Sequence, residues 1–181
     1  LQRNTTMLRY DGIQRFHFWP QFRAFLLWEM DREYPQEKRR ALFSRGGLYY
    51  ELKEDYPHAL ECYTKGGDHS KVSELLIRNA ELHPGMGHYR EMEQYYRALP
   101  HSEILASPAL MQGMSMLCAL AVDYDGSEYW YDQLRQFAQS CPRQDAAGKQ
   151  ARSRLAWLDI SLPQRSVDSL TETFPAVFRL M

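Results

Sequence analysis

The sequence predicts an all-α protein in which helices pack as successive antiparallel hairpins, preceded by a short β-hairpin. Three observations carry this prediction. From residue 36 onward, apolar residues recur every three or four positions, which is the period of a helix with one buried face. Short polar or Gly/Pro breaks separate these periodic segments. Small residues stand where two neighbouring helices would cross.

The clearest helical hairpin lies in residues 41–68. Lys53-Glu54-Asp55 is a polar break between its two helices, and Gly66-Gly67 ends the second helix because glycine adopts the left-handed conformation without a Cβ penalty. Gly47 and Ala59 are small and twelve positions apart, so the two backbones can approach closely. The apolar stripes of the two helices are Phe43, Gly47 and Tyr50, and Tyr56, Ala59, Leu60 and Tyr63. This pattern is typical of tetratricopeptide-like repeats, which stack into an α-solenoid.

The segment before the first helical hairpin has a different character. Asp11-Gly12 between two short strand-like runs predicts a β-hairpin within residues 7–18. Pro20 then opens a helix that ends at Tyr34-Pro35, because the residue before proline is disfavoured in the α region. We therefore divide the chain into an N-terminal segment, residues 1–35, and a helical-repeat domain, residues 36–181.

The later helix pairs are less regular than the first. Asp68 is placed to cap a helix, a break at residues 83–87 separates it from the next, and a loop after Pro100 leads to Ser107-Pro108, which opens another. Helices are also predicted after the turn at residues 123–127, over residues 147–158 and over residues 167–177. The counterparts predicted for Ala59 in the later pairs are Met92 and Trp130. Met92 follows Ala59 by 33 residues and Trp130 follows Met92 by 38, near the tetratricopeptide period of about 34.

Composition and motifs exclude several classes of function. The central residues 51–131 contain six Lys/Arg against thirteen Asp/Glu, which disfavours direct binding to nucleic acid. The chain has no apolar run near the roughly 18 residues of a membrane span, and its three cysteines indicate a reducing cytoplasm. It contains no phosphate-binding loop, no nucleophile elbow and no zinc-ligand spacing. We therefore expect neither catalysis nor a bound cofactor or metal.

The segment RFHFWPQFRAFLLWEM, residues 15–30, resembles a strand-to-helix motif of the MalT-like group of LuxR-type, ATP-dependent transcriptional regulators. In that group the motif closes a winged-helix domain just before a tetratricopeptide-like sensor domain. Further matches follow in order up to Ser107-Pro108, and the resemblance covers residues 8–139. The matching residues of the motif are Phe16, His17, Phe22, Arg23, Phe25 and Leu26.

The resemblance implies a fragment that covers the end of the winged helix and the start of the sensor domain. The STAND-class ATPase domain, which would bind ATP, and the DNA-binding helix-turn-helix of such a regulator match nothing in this sequence. The expected partners are a small-molecule inducer or a protein or peptide on the repeat surface, together with the neighbouring domains of the regulator. The alternative is a stand-alone tetratricopeptide-type adaptor that binds peptides or proteins.

Helical phase gives a candidate binding surface. In a tetratricopeptide superhelix the first helix of each pair lines the concave face, where polar side chains suit a small polar ligand. Three tyrosines out of phase with the core stripes, Tyr49, Tyr95 and Tyr131, are candidates to line a groove. The residues predicted on the concave face are Ser44, Leu48 and Glu51 from the first pair, and Gln112, Ser115 and Asp123 from the third.

Overall fold

The computed structural model describes residues 7–10, 16–83, 88–142 and 144–162. These residues form one small sheet followed by helices, so the prediction of an all-α fold class is confirmed. The strands are β1 (Leu8–Tyr10) and β2 (Phe16–Phe18). The helices are α1 (Pro20–Glu33), α2 (Gln36–Leu52), α3 (Tyr56–Gly66), α4 (His69–Leu82), α5 (Tyr89–Ala98), α6 (His101–Leu105), α7 (Pro108–Leu120), α8 (Tyr124–Ser140) and α9 (Ala146–Ser161).

The N-terminal segment forms the two strands and the helix that its sequence predicts. β1 and β2 pair antiparallel, with Leu8 opposite Phe18, whereas the predicted turn at Asp11-Gly12 lies outside the described residues. α1 begins at Pro20 and ends where Tyr34, the residue before a proline, is extended. None of its residues is buried. It meets the rest of the protein through α2 and through an ion pair of 3.5 Å between Arg23 and Glu61 of α3.

α2 and α3 form the predicted antiparallel hairpin. The aromatic rings of Tyr50 and His58 stack next to the turn, whereas farther along Gly47 meets the ring of Tyr63. A Cβ added to Gly47 would lie 2.5 Å from that ring, so the close approach is to Tyr63 rather than to Ala59.

The backbone contains the two predicted features after the first hairpin, at Gly67 and Asp68, and a helix cap at Asp55 within the predicted polar break. Asp55 caps α3 by accepting a hydrogen bond from the backbone N–H of His58. Gly67 follows α3 in the left-handed conformation, with φ 67°. Asp68 caps α4 through the N–H of Lys71, at 3.2 Å.

The segment between α5 and α7 differs from its prediction. A short helix, α6, replaces the loop expected after Pro100. Its formation is favoured by Pro100, whose fixed φ suits the start of a helix, and by burial of Ile104 in the core. Ser107 takes the predicted N-cap position of α7, but its side chain makes no capping hydrogen bond.

α7 is the central helix of the described fold. It packs against α4, α5 and α6 and also against α8 and α9. Nearly all of its residues are buried, as expected of a helix that is apolar around most of its circumference. The pairs Tyr131–Asp159 and Ala138–Arg152 show that α8 and α9 are antiparallel. The helix predicted over residues 167–177 lies outside the described residues.

The turn from α2 to α3 and the turn from α7 to α8 have the same backbone course. Each contains a residue with positive φ followed by a capping aspartate, in Glu54-Asp55 (φ 59°) and in Val122-Asp123 (φ 63°). The aspartate N–H donates to the carbonyl of Tyr50 in the first turn and of Cys118 in the second, at 2.9 Å in both. Every position of the second turn thus lies 68 residues after its counterpart.

This correspondence corrects the predicted counterpart of Ala59 in α8. Ala59 is the fourth residue after Asp55, and Ser127 is the fourth residue after Asp123. Ala59 and Ser127 both have no exposed surface. The counterpart is therefore Ser127 and not Trp130. Helical periodicity alone did not separate these two residues, because they lie three positions apart on the same face.

Candidate functional site

The three predicted site residues on α2 have different environments. Ser44 is half-buried, and Leu48 is exposed. Glu51 accepts a hydrogen bond of 2.7 Å from the hydroxyl of Tyr63 and lies 3.7 Å from the ammonium of Lys71. The pKa of Tyr63 is raised, chiefly because the hydroxyl is buried and also because it donates to the Glu51 carboxylate. Glu51 therefore links α2, α3 and α4, and this structural role accounts for its position.

The three predicted site residues of the third pair do not form an open surface. Gln112 and Ser115 are buried, with 2% and 0% of their surface exposed. The Ser115 hydroxyl donates to the backbone carbonyl of Ser127 at 3.0 Å. Asp123 is exposed and caps α8 through the N–H of Gly126, at 2.9 Å. The assignment of Gln112 and Ser115 to a solvent-facing concave surface is therefore corrected.

The site residues of α2 and α7 differ in burial because the two helices lie at different positions in the stack. Ser44 and Gln112 are 68 residues apart, so they occupy equivalent positions of their hairpins. α2 packs mainly on α1 and α3, whereas α7 has helices on several sides. Equal phase therefore produces unequal burial. The structure does not bring the six predicted residues into one surface, and a ligand role for Leu48 stays a prediction.

Two of the three out-of-phase tyrosines belong to the core. Tyr95 and Tyr131 are each 9% exposed. Their hydroxyls donate to the carbonyl of Pro57 at 3.4 Å and to the carboxylate of Asp159 at 2.7 Å. Both tyrosines thus join neighbouring helices, and Tyr95 also lines an open cavity of about 270 Å³ together with Glu61, Thr64, Lys65 and Gln94. Tyr49 is 58% exposed, which agrees with its lack of a packing role.

Gln112 does contribute to a pocket that sequence reasoning did not predict. A cavity of about 300 Å³ lies between α4, α7 and α9. Its lining contains one guanidinium, one carboxylate, two side-chain amides and an indole. We call it the Arg154 pocket, and its lining residues are Ala80, Glu81, Gln112, Gln150, Ser153, Arg154 and Trp157. These residues come from three helices far apart in the chain, so no local motif announces them.

Arg154 is the electrostatic centre of this pocket. Its Nη1 donates to the side-chain oxygen of Gln112, while its Nε is buried and has no hydrogen-bond partner. Burial lowers the pKa of the guanidinium because the charged form loses solvation. The nearby hydroxyl of Tyr96 is buried without a partner as well. Arg154 is thus a partly desolvated cation whose donors are incompletely used.

The opposite charge in the pocket is supplied by Glu81. Gln150 donates to Oε1 of this carboxylate at 3.4 Å, across the groove between α4 and α9. Glu81 stabilises the charged form of Arg154 at a distance, but the two side chains do not form an ion pair within 4.0 Å. Trp157 is half-buried beside them. The pocket therefore presents separated positive and negative groups beside an aromatic surface.

Other kinds of site are not found in the described part of the chain. Within residues 7–10, 16–83, 88–142 and 144–162, no three His, Cys, Asp or Glu side chains are grouped as metal ligands would be. Over the same ranges, no helix combines the length and apolar character needed to cross a membrane.

Comparison with known proteins gives no relative of this chain. No protein-family model, curated protein or solved structure matches it. The resemblance to the MalT-like regulators stays a prediction from residues 8–139.

Proposed function

We propose that this chain is a non-catalytic helical-repeat domain of a MalT-like, LuxR-type transcriptional regulator acting in the cytoplasm. In this proposal the repeat domain binds a small-molecule effector or a partner protein. Binding would shift the regulator between arrangements of its domains, which requires the ligand to prefer one of those arrangements. The observation that carries the proposal is the 68-residue correspondence between α2–α3 and α7–α8.

A separation of 68 residues is twice the tetratricopeptide period of about 34. The correspondence extends beyond the turns into the helices that they join. The residue pairs that are identical at this separation within residues 41–68 are Ala41/Ala109, Leu42/Leu110, Leu52/Leu120, Asp55/Asp123, Tyr56/Tyr124 and Tyr63/Tyr131. The small residues of the first crossing, Gly47 and Ala59, correspond to Ser115 and Ser127, which contact each other at 3.2 Å. These features support a solenoid whose middle repeat, α4–α5, has diverged.

The N-terminal segment supports the regulator over a generic repeat protein. α1 buries none of its residues, although its sequence is rich in aromatic side chains. Phe25 and Trp28 are 49% and 55% exposed, and Phe18 and Trp19 before them are also exposed. Contiguous apolar surface of this kind usually packs against other protein. In the proposed regulator, the remainder of the winged-helix domain would cover it.

The coding sequence on both sides of this chain tests the regulator proposal. We expect a phosphate-binding loop of the form G-x-x-x-x-G-K-[ST] upstream and a helix-turn-helix downstream. A gene with the phosphate-binding loop alone would indicate another protein with a nucleotide-binding domain. A gene with the helix-turn-helix alone would indicate another DNA-binding regulator. A gene that lacks both would contradict the proposal.

A stand-alone adaptor is the second candidate, and one observation favours it. Leu48, Tyr49 and Leu52 expose 51%, 58% and 76% of their surface on the first helix of the first hairpin. Such a stripe can receive an apolar peptide. Selection of peptides on this chain tests the adaptor: the selected peptides should lose binding to Leu48→Asp and keep it with the control Ile160→Asp on α9. Equal loss of peptide binding in both variants would count against the exposed stripe of α2 as the peptide site.

A further inference from the structure

No carboxylate among the described residues is bonded to the Arg154 guanidinium, and Glu81 acts on it only from a distance. Taking a guanidinium out of water is costly unless a negative group compensates it. Among the described residues, the only side chain bonded to this guanidinium is Gln112, which is neutral, and Arg154 Nε has no partner. A planar carboxylate matches the donor fork of an arginine. Gln112 uses its oxygen on Arg154, so its amide N–H groups remain available as further donors.

The rest of the lining defines the other end of the ligand. Glu81 places a carboxylate in the same cavity, held by Gln150. This charge repels a phosphate or a dicarboxylate but attracts an ammonium group. Trp157 adds an aromatic face, which also favours a cation or an apolar side chain. The cavity volume of about 300 Å³ is at the lower end of ligand pockets, so the ligand is small.

We propose that the Arg154 pocket binds a small zwitterion of the α-amino-acid class. The ligand carboxylate lies against Arg154 and Gln112, and its ammonium group faces Glu81 beside Trp157. This inference deepens the proposed sensing function by naming its ligand class. The two can fail separately, because binding is measured on this chain alone whereas the regulator is tested by its neighbouring coding sequence.

The primary experiment measures binding to the 181-residue chain. A thermal-shift screen covers each standard L-amino acid and inorganic phosphate, and calorimetry then compares the best amino acid with its amide, which lacks the carboxylate, and with its analogue lacking the amino group. We expect at least one amino acid to bind and both analogues to bind at least tenfold more weakly. No binding by any amino acid overturns the proposal. The proposal is also overturned if phosphate, or the analogue that lacks the amino group, binds as tightly as the amino acid.

Three variants assign the interaction to the pocket. Arg154→Met keeps most of the aliphatic stem and should weaken amino-acid binding by about 10- to 100-fold, the range for a lost hydrogen bond to a charged group. Gln112→Glu should abolish binding by giving Arg154 an internal carboxylate. This variant is the second test of the pocket if Arg154→Met does not fold. Glu81→Gln should weaken binding of the amino acid but should not weaken binding of the analogue that lacks the amino group.

The matched control is Arg135→Met on α8. Arg135 is an exposed arginine that pairs with Asp132 at 2.9 Å and does not line the pocket. This variant should bind the amino acid as the unaltered chain does. Unchanged binding by Gln112→Glu, or equal loss in the Arg135 control, would overturn the assignment to the Arg154 pocket.

Discussion

Two adjacent glycines on α2 offer a sharp test of helix packing in the first hairpin. Gly46 and Gly47 share one helix, so replacing either by alanine gives the same gain in helix propensity, about 1 kcal/mol. Their surroundings differ. A Cβ on Gly46 would meet Cys62 Sγ at 3.4 Å, which is close to ordinary contact. A Cβ on Gly47 would lie 2.5 Å from the Tyr63 ring.

The magnitude follows from how firmly Tyr63 is held. Its ring is 2% exposed, and its hydroxyl donates to Glu51 at 2.7 Å, so it cannot move aside without losing packing and a hydrogen bond. Overpacking of this kind costs about 1–3 kcal/mol. We therefore expect Gly46→Ala to be neutral or up to about 1 kcal/mol more stable, and Gly47→Ala to be up to about 2 kcal/mol less stable.

Urea unfolding of both variants and of the unaltered chain measures this difference. The midpoints are compared at equal slope, so that a change in the unfolded state is not mistaken for a change in packing. Tyr63→Leu, alone and combined with Gly47→Ala, completes a double-mutant cycle, and the coupling energy should be favourable because the smaller side chain removes the overlap. Gly47→Ala being at least as stable as Gly46→Ala would refute the proposed contact.

Three further predictions concern caps and pH. Gly67→Ala should lower the free energy of unfolding by about 1 kcal/mol, because residue 67 has a left-handed φ of 67°. The space around an added Cβ is open, so no clash adds to this cost, and Gly67→Asn should lose less because asparagine tolerates this conformation better. Asp123→Ala should lose about 1 kcal/mol through the cap of α8, measured by the same urea unfolding, and an unchanged midpoint would contradict the cap. Burial raises the pKa of Tyr89 and Tyr96, so the folded state keeps protons that the unfolded state releases. Stability should be constant with respect to these tyrosines below about pH 10 and fall as the pH rises above it. The exposed tyrosines ionise in the folded protein, so a second rise in tyrosinate absorbance should accompany unfolding.

The local features of the fold were predictable because a few neighbouring residues determine them. Asp68 caps α4, Gly67 is left-handed, and Tyr34 before Pro35 ends α1. Each depends on the steric and hydrogen-bonding preferences of residues within one helical turn. The short helix α6 was missed because its stability depends on burying Ile104, which is a tertiary contact.

The candidate site was predicted less well than the fold. Helical phase placed Gln112 and Ser115 on an open face where α7 is covered, whereas Leu48 on α2 is exposed. Phase assigns a residue to a side of its own helix and does not tell how many other helices surround that helix. The same limit applies to Tyr95 and Tyr131, whose hydroxyls find partners on neighbouring helices.

By itself, the sequence determined the helical class, most of the breaks between helices, the cap at Asp68 and the helix end at Gly67, because these depend on interactions between residues close together in the chain. Only the tertiary structure decided that α7 is central and that Glu81, Gln112 and Arg154 meet in one pocket. Those three residues lie on three different helices, and their meeting depends on how α4, α7 and α9 stack. The stacking is set by side-chain packing across the whole core, which no local pattern contains.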